Sequence, residues 1–414
     1  MKFGVVIQQN LLKRLKMENN CNIKKPVIVV IAFNRINSLK RLLESINKSF
    51  FHEKIKLIIS IDKGNNNNVF EYAKEFNWEH GEKEVIYQEQ NLGLKRHIIK
   101  CGDLTEKYGS IILLEDDLYV SPYFYSYAKQ AINFYKDDNS ISQISLFKYP
   151  MNNNTKDSFS PLNDSSDNFF MKVASSWGQI WTYNQWQDFR TWFNKNDLSI
   201  TEEDNLPDFV IKWKETSWLK YFIKYNEVNN KYVVYPRTSL TTNFSDLGTN
   251  VSISNKLYLY QQPLLMEEKM FNFKKLDESF SVYDSYYEID KSVSTKFLKK
   301  YEDIEFDLYG TKKLNKIKSK YLVSIKNCNV PIKIYSRELK PHELNLICEL
   351  EGDDISFGLT KDFDDNIKSS VKKENFKYFW THSIDYSSII YLINIRLKQQ
   401  YINLKNKISK KLKR

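Results

Sequence analysis

The chain has 414 residues, 42% of them hydrophobic and 15% aromatic, enough for two or three domains and a sizeable core. Four cysteines (Cys21, Cys101, Cys328, Cys348) without CxxC spacing and only five histidines argue against a zinc site or a disulfide framework, and a reducing compartment is expected. Most of the formal net charge of +11 sits in residues 386–414, which hold eight Lys/Arg and no acid. A nucleic-acid enzyme would spread its basic residues over a binding face, so nucleic acid is not expected as a partner.

In chain order, residues 1–25 read as a polar lead-in. The apolar start Val5-Val6-Ile7 gives way at once to Gln8-Gln9-Asn10. That is a poor signal peptide, no run approaches the ~18–20 apolar residues of a membrane span, and a cytoplasmic location is expected. Residues 26–33 predict a buried strand ending at Asn34-Arg35. Leu39, Leu42, Leu43 and Ile46 then recur at helical spacing. A second strand over 55–61 ends at Asp62 and opens into the loop Gly64-Asn65-Asn66-Asn67-Asn68, followed by a helix over 70–76. A third strand over 84–87 leads through Asn91-Leu92-Gly93 into a helix carrying Lys95, Arg96 and His97. Strand–helix alternation at this pitch predicts an α/β, Rossmann-like parallel sheet. Further on, 141–147, 170–174 and 232–236 read as strands. Trp177, Trp181, Trp186 and Trp192 are expected over a turn and helix, and Trp213 and Trp218 on another helix. Residues 266–305 read as an extended connection, 306–385 as an accessory α+β region, and 386–414 as a basic amphipathic helix.

The fourth strand carries the most informative run, Ile111-Ile112-Leu113-Leu114-Glu115-Asp116-Asp117. Its apolar part is that of a strand buried on both faces, and the C-terminal edge of such a sheet is where open α/β folds bind ligands. Three adjacent acids there repel one another unless a cation neutralises them. Hard oxygen ligands suit Mg²⁺ or Mn²⁺, which commonly arrive with a substrate phosphate. Taken alone, the run also fits a solvated acidic turn after a core strand.

Ordered blocks over 26–35, 58–63, 91–97, 111–124, 175–186 and 232–250 resemble bacterial sugar transferases similar to the GT-A-fold N-acetylglucosaminyltransferase I enzymes. Glu115-Asp116-Asp117-Leu118 followed by Ser121-Pro122-Tyr123-Phe124, and Ser175-Ser176-Trp177-Gly178-Gln179, are the most specific of them. The resemblance covers about 26–265, which would form the GT-A domain. It implies a metal-dependent, inverting glycosyltransferase moving a sugar from a nucleotide-sugar donor, UDP-linked and by analogy UDP-N-acetylglucosamine, to a glycan or lipid-linked acceptor in bacterial surface-polysaccharide assembly. By the same resemblance Asp117 coordinates Mn²⁺ or Mg²⁺ directly, while Glu115 and Asp116 hold ribose or sugar hydroxyls. Arg35 touches the base or diphosphate, and Arg96 and His97 lie near the nucleotide. Gly248 and Thr249 belong to a mobile loop, 243–250, that closes over the donor; relatives often carry a histidine there, and this chain does not.

Asp62, at a strand end, is placed to accept the N3–H of uracil, or else closes an Asx-turn into the Asn-rich loop. An inverting displacement needs one carboxylate to take the acceptor proton. Glu215 is the nearest acid to the expected place, with Asp204 and Asp208 as alternatives. Trp177 and Trp181 are candidates for the floor of a sugar pocket or for core. The segment 388–414 is expected to lie on an anionic membrane surface. The rival reading is a non-catalytic glycan-binding or scaffold protein with a degenerate GT-A fold.

Overall fold

A computed structural model describes residues 25–65, 67–246 and 260–371, with 390, 393–398 and 400–401. The lead-in over 1–24, the donor-loop residues Gly248 and Thr249, and most of 386–414 lie outside the described residues.

The chain builds a nine-stranded sheet from β1 (Val27–Ala32), β2 (Leu57–Ile61), β3 (Lys83–Tyr87), β4 (Ser110–Glu115), β6 (Ile141–Ser145), β7 (Asn168–Met171), β8 (Gln179–Thr182), β9 (Tyr232–Pro236) and β11 (Val282–Tyr283). Two short strands, β5 (Leu118–Val120) and β10 (Thr241–Asn243), pair with each other outside it. The sheet order is β11-β7-β9-β6-β8-β4-β1-β2-β3. The β3-β2-β1-β4 half is parallel throughout. Every residue of β1 and β2 is buried, as are Ser110–Leu114 of β4, because helices cover both faces.

The first helix, α1 (Ile36–Asn47), buries Leu39, Leu42, Leu43 and Ile46, the stripe that its sequence spacing predicts. Each such side chain contributes roughly 1.5–3 kcal/mol by leaving water. The others are α2 (Asn68–Glu75), α3 (Gly93–Gly102), α4 (Phe124–Tyr135), α5 (Tyr183–Lys195) and α6 (Trp218–Val228), with single turns at Thr105–Tyr108 and Asp208–Ile211.

Three sequence expectations change. Trp177–Trp181 does not start a helix: Gln179–Thr182 is β8, wedged antiparallel between β4 and β6, and α5 begins only at Tyr183. The tryptophan spacing imitates a helix, but Thr182 caps α5 with a reciprocal Thr182–Gln185 pair, which ends the strand there. Trp213 lies outside the helix that Trp218 opens. Finally, β11 comes from beyond residue 265, pairing parallel with β7 at the sheet edge.

The region after β11 forms a four-stranded sheet, β12-β13-β16-β15, from β12 (Ile304–Asp307), β13 (Tyr321–Ser324), β15 (Pro331–Tyr335) and β16 (Ile355–Leu359). A ribbon of β14 (Lys326–Cys328) and β17 (Phe363–Ile367) flanks it. Ile304, Phe306, Val323 and Phe357 join the same hydrophobic core as the large sheet. One ion pair binds the two parts, Lys312 Nζ to Asp284 at 2.6 Å, and within the C-terminal region Lys312 also reaches Glu305 at 3.0 Å and Lys326 reaches Asp307 at 3.0 Å.

Candidate active site

The strand order reverses between β1 and β4, since β2 continues on one side of β1 and β4 lies on the other. At such a switch point the loops leaving adjacent strands diverge and open a crevice. The parallel register sets Ile31 against Glu115, so Arg35, just past β1, meets the acids just past β4.

Arg35 makes a two-pronged contact with Asp116, Nη2 to Oδ1 and Nε to Oδ2, the latter at 3.3 Å. Its Nη1 donates to Asp117 Oδ2 at 3.2 Å. Among the described residues, Glu115 Oε1 and Asp117 Oδ1 are buried and accept no hydrogen bond. Burial pushes the Asp116 carboxyl up to about 6 even with Arg35 beside it. Burial, then Asp117 and Asp116, push Glu115 well above the usual carboxylate range. Burial would lower the Arg35 pKa, but Asp116 and Asp117 outweigh it and raise it further. One guanidinium thus faces three carboxylates. The two orphaned oxygens are hard donors that fit a Mg²⁺ or Mn²⁺ ion. No group of three or more His, Cys, Asp or Glu among the described residues is arranged to hold a metal ion.

The turn at Asp116-Asp117 is pinned from the other side by the β5–β10 ribbon. Asn243 pairs with Leu118, and the Phe244 N–H donates to the Asp117 carbonyl at 3.1 Å. Asp246 is then held on α1 by Ser38 Oγ at 2.7 Å and by Arg41, whose guanidinium stacks 3.8 Å from the Phe244 ring centroid. The Asp246 carbonyl also accepts from Arg35 Nη1 at 3.4 Å. Sequence reasoning missed Ser38, Arg41 and Asp246. The three-residue spacing Arg35, Ser38, Arg41 was the available signal, since it keeps all three on one side of the start of α1.

The remaining expected residues divide. Asp62 is buried, and its carboxylate accepts the backbone N–H groups of Leu92 at 2.8 Å, Gly93 at 2.9 Å and Lys63 at 2.9 Å. It therefore fixes the loop that starts α3, and the Lys63 contact keeps part of the Asx-turn reading. His97 is buried and shares a hydrogen bond with Ser60 Oγ of β2 at 2.8 Å. Burial takes its pKa down to about 4, so the neutral imidazole ties α3 to the sheet and does not face a ligand as a cation. Arg96 is exposed on the first turn of α3, with no ion-pair partner among the described residues.

Trp181 is core, packed on Trp186, Trp218 and Phe222. Trp177 is half-buried in an aromatic wall with Phe147 at 4.7 Å, Tyr149 at 5.9 Å and Tyr260 at 4.9 Å. Its neighbour Gly178 has φ +92°, and a Cβ there would meet Thr241 Cγ2 of β10 at 2.9 Å, so only glycine lets the ribbon lie this close.

Neither proposed base stands alone. Glu215 Oε1 accepts from Lys220 Nζ at 2.8 Å and Oε2 from the Tyr221 hydroxyl. These hydrogen bonds lower its pKa. Lys95 of α3 donates to the Glu215 carbonyl at 2.8 Å, which brings this residue to the Arg96 end of α3. Asp204 pairs with Lys224 at 2.9 Å and accepts the Thr201 N–H, and its carbonyl accepts from Lys316 of the C-terminal region. Asp208 is exposed and paired with Lys212 one helical turn on.

Residues 27–190 match the family model Glycosyl transferase family 2. That span holds Arg35, Asp62, Arg96, His97 and the three acids. It covers less than half of the chain and stops short of Asp204 and Glu215. The finer likeness to N-acetylglucosaminyltransferase I enzymes is carried only by the blocks quoted above. No curated protein matches the chain. Among solved structures the chain is similar to S. aureus TarS 1-349, at 14% identity over 53% of this chain and 60% of that one, with a TM-score of 0.33. It is similar to the same protein in complex with UDP-GlcNAc, at 14% over 55% and 61%, with a TM-score of 0.35. A third is the mannosyltransferase PcManGT from Pyrobaculum calidifontis in complex with GDP-Man and Mn2+, at 10% over 44% and 53%, with a TM-score of 0.28. The chain thus spans about 60% of the TarS 1-349 structure. At these scores the likenesses carry no argument about activity.

Proposed function

We propose that this chain transfers a sugar, with inversion, from a UDP-linked donor to a glycan or lipid-linked acceptor in bacterial surface-polysaccharide assembly. UDP-N-acetylglucosamine is the first donor to try, by analogy with the enzymes its motif blocks resemble. The observation that carries the reading is the under-neutralised acid group at the switch point, with buried oxygens of Glu115 and Asp117 lacking partners among the described residues, inside a Glycosyl transferase family 2 match.

Asp117 would hold Mn²⁺ or Mg²⁺, with donor phosphate oxygens completing its ligands. When bound, such an ion stabilises negative charge on the departing nucleoside diphosphate. Glu115 and Asp116 would take donor hydroxyls, and Arg96 offers an exposed cation beside the loop fixed by Asp62. Asp62 and His97 act as positioning residues for that loop and for α3. The Trp177 face offers an apolar surface on which a sugar ring can stack.

For the base, Glu215 is preferred to Asp204, because Asp204 faces the C-terminal region while Glu215 lies against α3. Its lowered pKa keeps it ionised, at some cost in basicity that Lys220 and Tyr221 impose. Glu215→Gln is expected to lower kcat about a hundredfold or more while UDP binding stays unchanged. Asp204→Asn should leave kcat near wild type. An active Glu215→Gln enzyme removes the assignment.

The activity itself is tested by incubating the protein with Mn²⁺ and a panel of nucleotide sugars and following nucleoside diphosphate release. Silence across the panel, with glycan binding retained, would favour a glycan-binding protein of degenerate fold. No helix among the described residues is long and apolar enough to cross a membrane. Peripheral attachment is proposed for 388–414, where Ile393, Ile395 and Leu397 are exposed in a helical stretch rich in Lys/Arg. Deleting that segment should move the protein from membrane to soluble fractions, and an unchanged distribution would sink the idea.

A further inference from the structure

Arg35 binds two acids that the reading above assigns to other tasks, and it holds them unequally. Its grip on Asp116 is a fork from Nε and Nη2, whereas Asp117 receives only Nη1, at 3.2 Å. Among the described residues, the other Asp117 oxygen and Glu115 Oε1 are buried without partners. A divalent ion on Asp117 and the Nη1 edge of Arg35 would compete for one carboxylate, and two cations brought that close repel. A diphosphate supplies multiply charged oxygens, two of which the planar guanidinium can grip at once. The base of the arrangement is fixed: the Asp246 carbonyl meets Arg35 Nη1, and Asp246 is itself clamped by Ser38 and Arg41.

We propose that Arg35 is an exchangeable counter-ion that couples metal and donor uptake, giving up Asp117 to the divalent ion and presenting its freed Nη1 edge to the donor diphosphate while its fork stays on Asp116. The inference rests on the metal-dependent nucleotide-sugar reading above. Metal alone must displace an ion pair, and nucleotide alone finds the arginine engaged. Each ligand therefore removes the obstacle to the other, and the coupling is reciprocal.

The test is calorimetric titration of the full chain with Mn²⁺ alone, with UDP alone and with both, then the same with GDP. In wild type, the nucleotide should tighten Mn²⁺ binding by about tenfold or more, within the usual span of coupling between sites. In Arg35→Gln, Mn²⁺ alone should bind at least as tightly as to wild type, and the coupling should fall by about threefold or more from the wild-type value, the rest coming from phosphate oxygens on the ion itself. Arg35→Lys keeps a charge for Asp116 but cannot grip two acids, so its coupling should fall to an intermediate value. Thermal melts show whether Arg35→Gln folds, and if it does not, Arg35→Lys decides. Coupling that stays at the wild-type value in the deciding variant overturns the counter-ion role alone. Wild-type protein that takes up neither nucleotide with Mn²⁺ overturns the functional reading and this inference together.

Discussion

Around Lys312 and Lys326, buried ammonium groups each sit against carboxylates, with Asp284, Glu305 and Asp307 within 3.0 Å, and the partners hold one another. Around Glu115, Asp116 and Asp117 one guanidinium faces three acids, and two acid oxygens have no partner among the described residues. Both groups are largely buried. The difference teaches what each is for. In the first cluster Asp284 and Asp307 are tied to lysines and Glu288 to the Tyr309 N–H, and the Lys312–Asp284 pair joins two parts of the chain, whereas in the second two buried acid oxygens without donors among the described residues are left for a ligand to satisfy.

The comparison breaks first at Lys312. Lys312→Ala leaves Asp284 and Glu305 buried without their cation and should cost about 3–5 kcal/mol in denaturant titrations. A loss under about 1 kcal/mol would mean the C-terminal cluster is not structural. Next comes Asp117→Ala, which should weaken Mn²⁺-dependent UDP binding at least about a hundredfold, roughly 2.7 kcal/mol. Its melting temperature should stay level or rise, because one of three repelling carboxylates has gone. A melting temperature that drops as it does for Lys312→Ala would erase the distinction between the clusters.

A smaller effect separates pH from charge pairing. Burial holds His97 at about 4 and His342 at about 3, against the ordinary 6.5. Each binds its proton more readily in the unfolded chain, so their contribution is complete above about pH 6.5 and lost as pH falls toward those values. For His97 the loss is on the order of 3 kcal/mol. His97→Gln should flatten the stability profile between pH 6.5 and 4, and an unchanged slope would show that His97 titrates normally. The smallest expected change is Asp208→Asn. Its exposed pair with Lys212 should matter by less than about 0.5 kcal/mol, with catalysis intact. A collapse of turnover there would move the base to Asp208.

Much of the nucleotide half was legible in the chain. The apolar runs at 27–32, 57–61 and 111–114 and the stripe Leu39, Leu42, Leu43, Ile46 allow one arrangement, because strands buried on both faces need helices above and below. The acids at 115–117 could be read as a site from their place after such a run. What their sequence did not contain was Arg35 as their partner, or Asp246 as its clamp, since these contacts join residues from distant parts of the chain. Asp62 and His97 show the same limit from the other side. Their positions at a strand end and on a helix start were right for ligand contact, yet their side chains turned to backbone N–H groups and to Ser60. β8 was hidden because tryptophans four apart satisfy a helix as well as a strand that follows a turn.

By itself, then, the sequence determined a parallel α/β half and an acidic turn at its edge. Periodicity and local charge are properties of neighbours along the chain. Only the tertiary structure decided which acids are paired, which are left wanting, and that one arginine stands between them. Buried electrostatics depends on what distant segments bring within about 4 Å, where low dielectric makes each charge count.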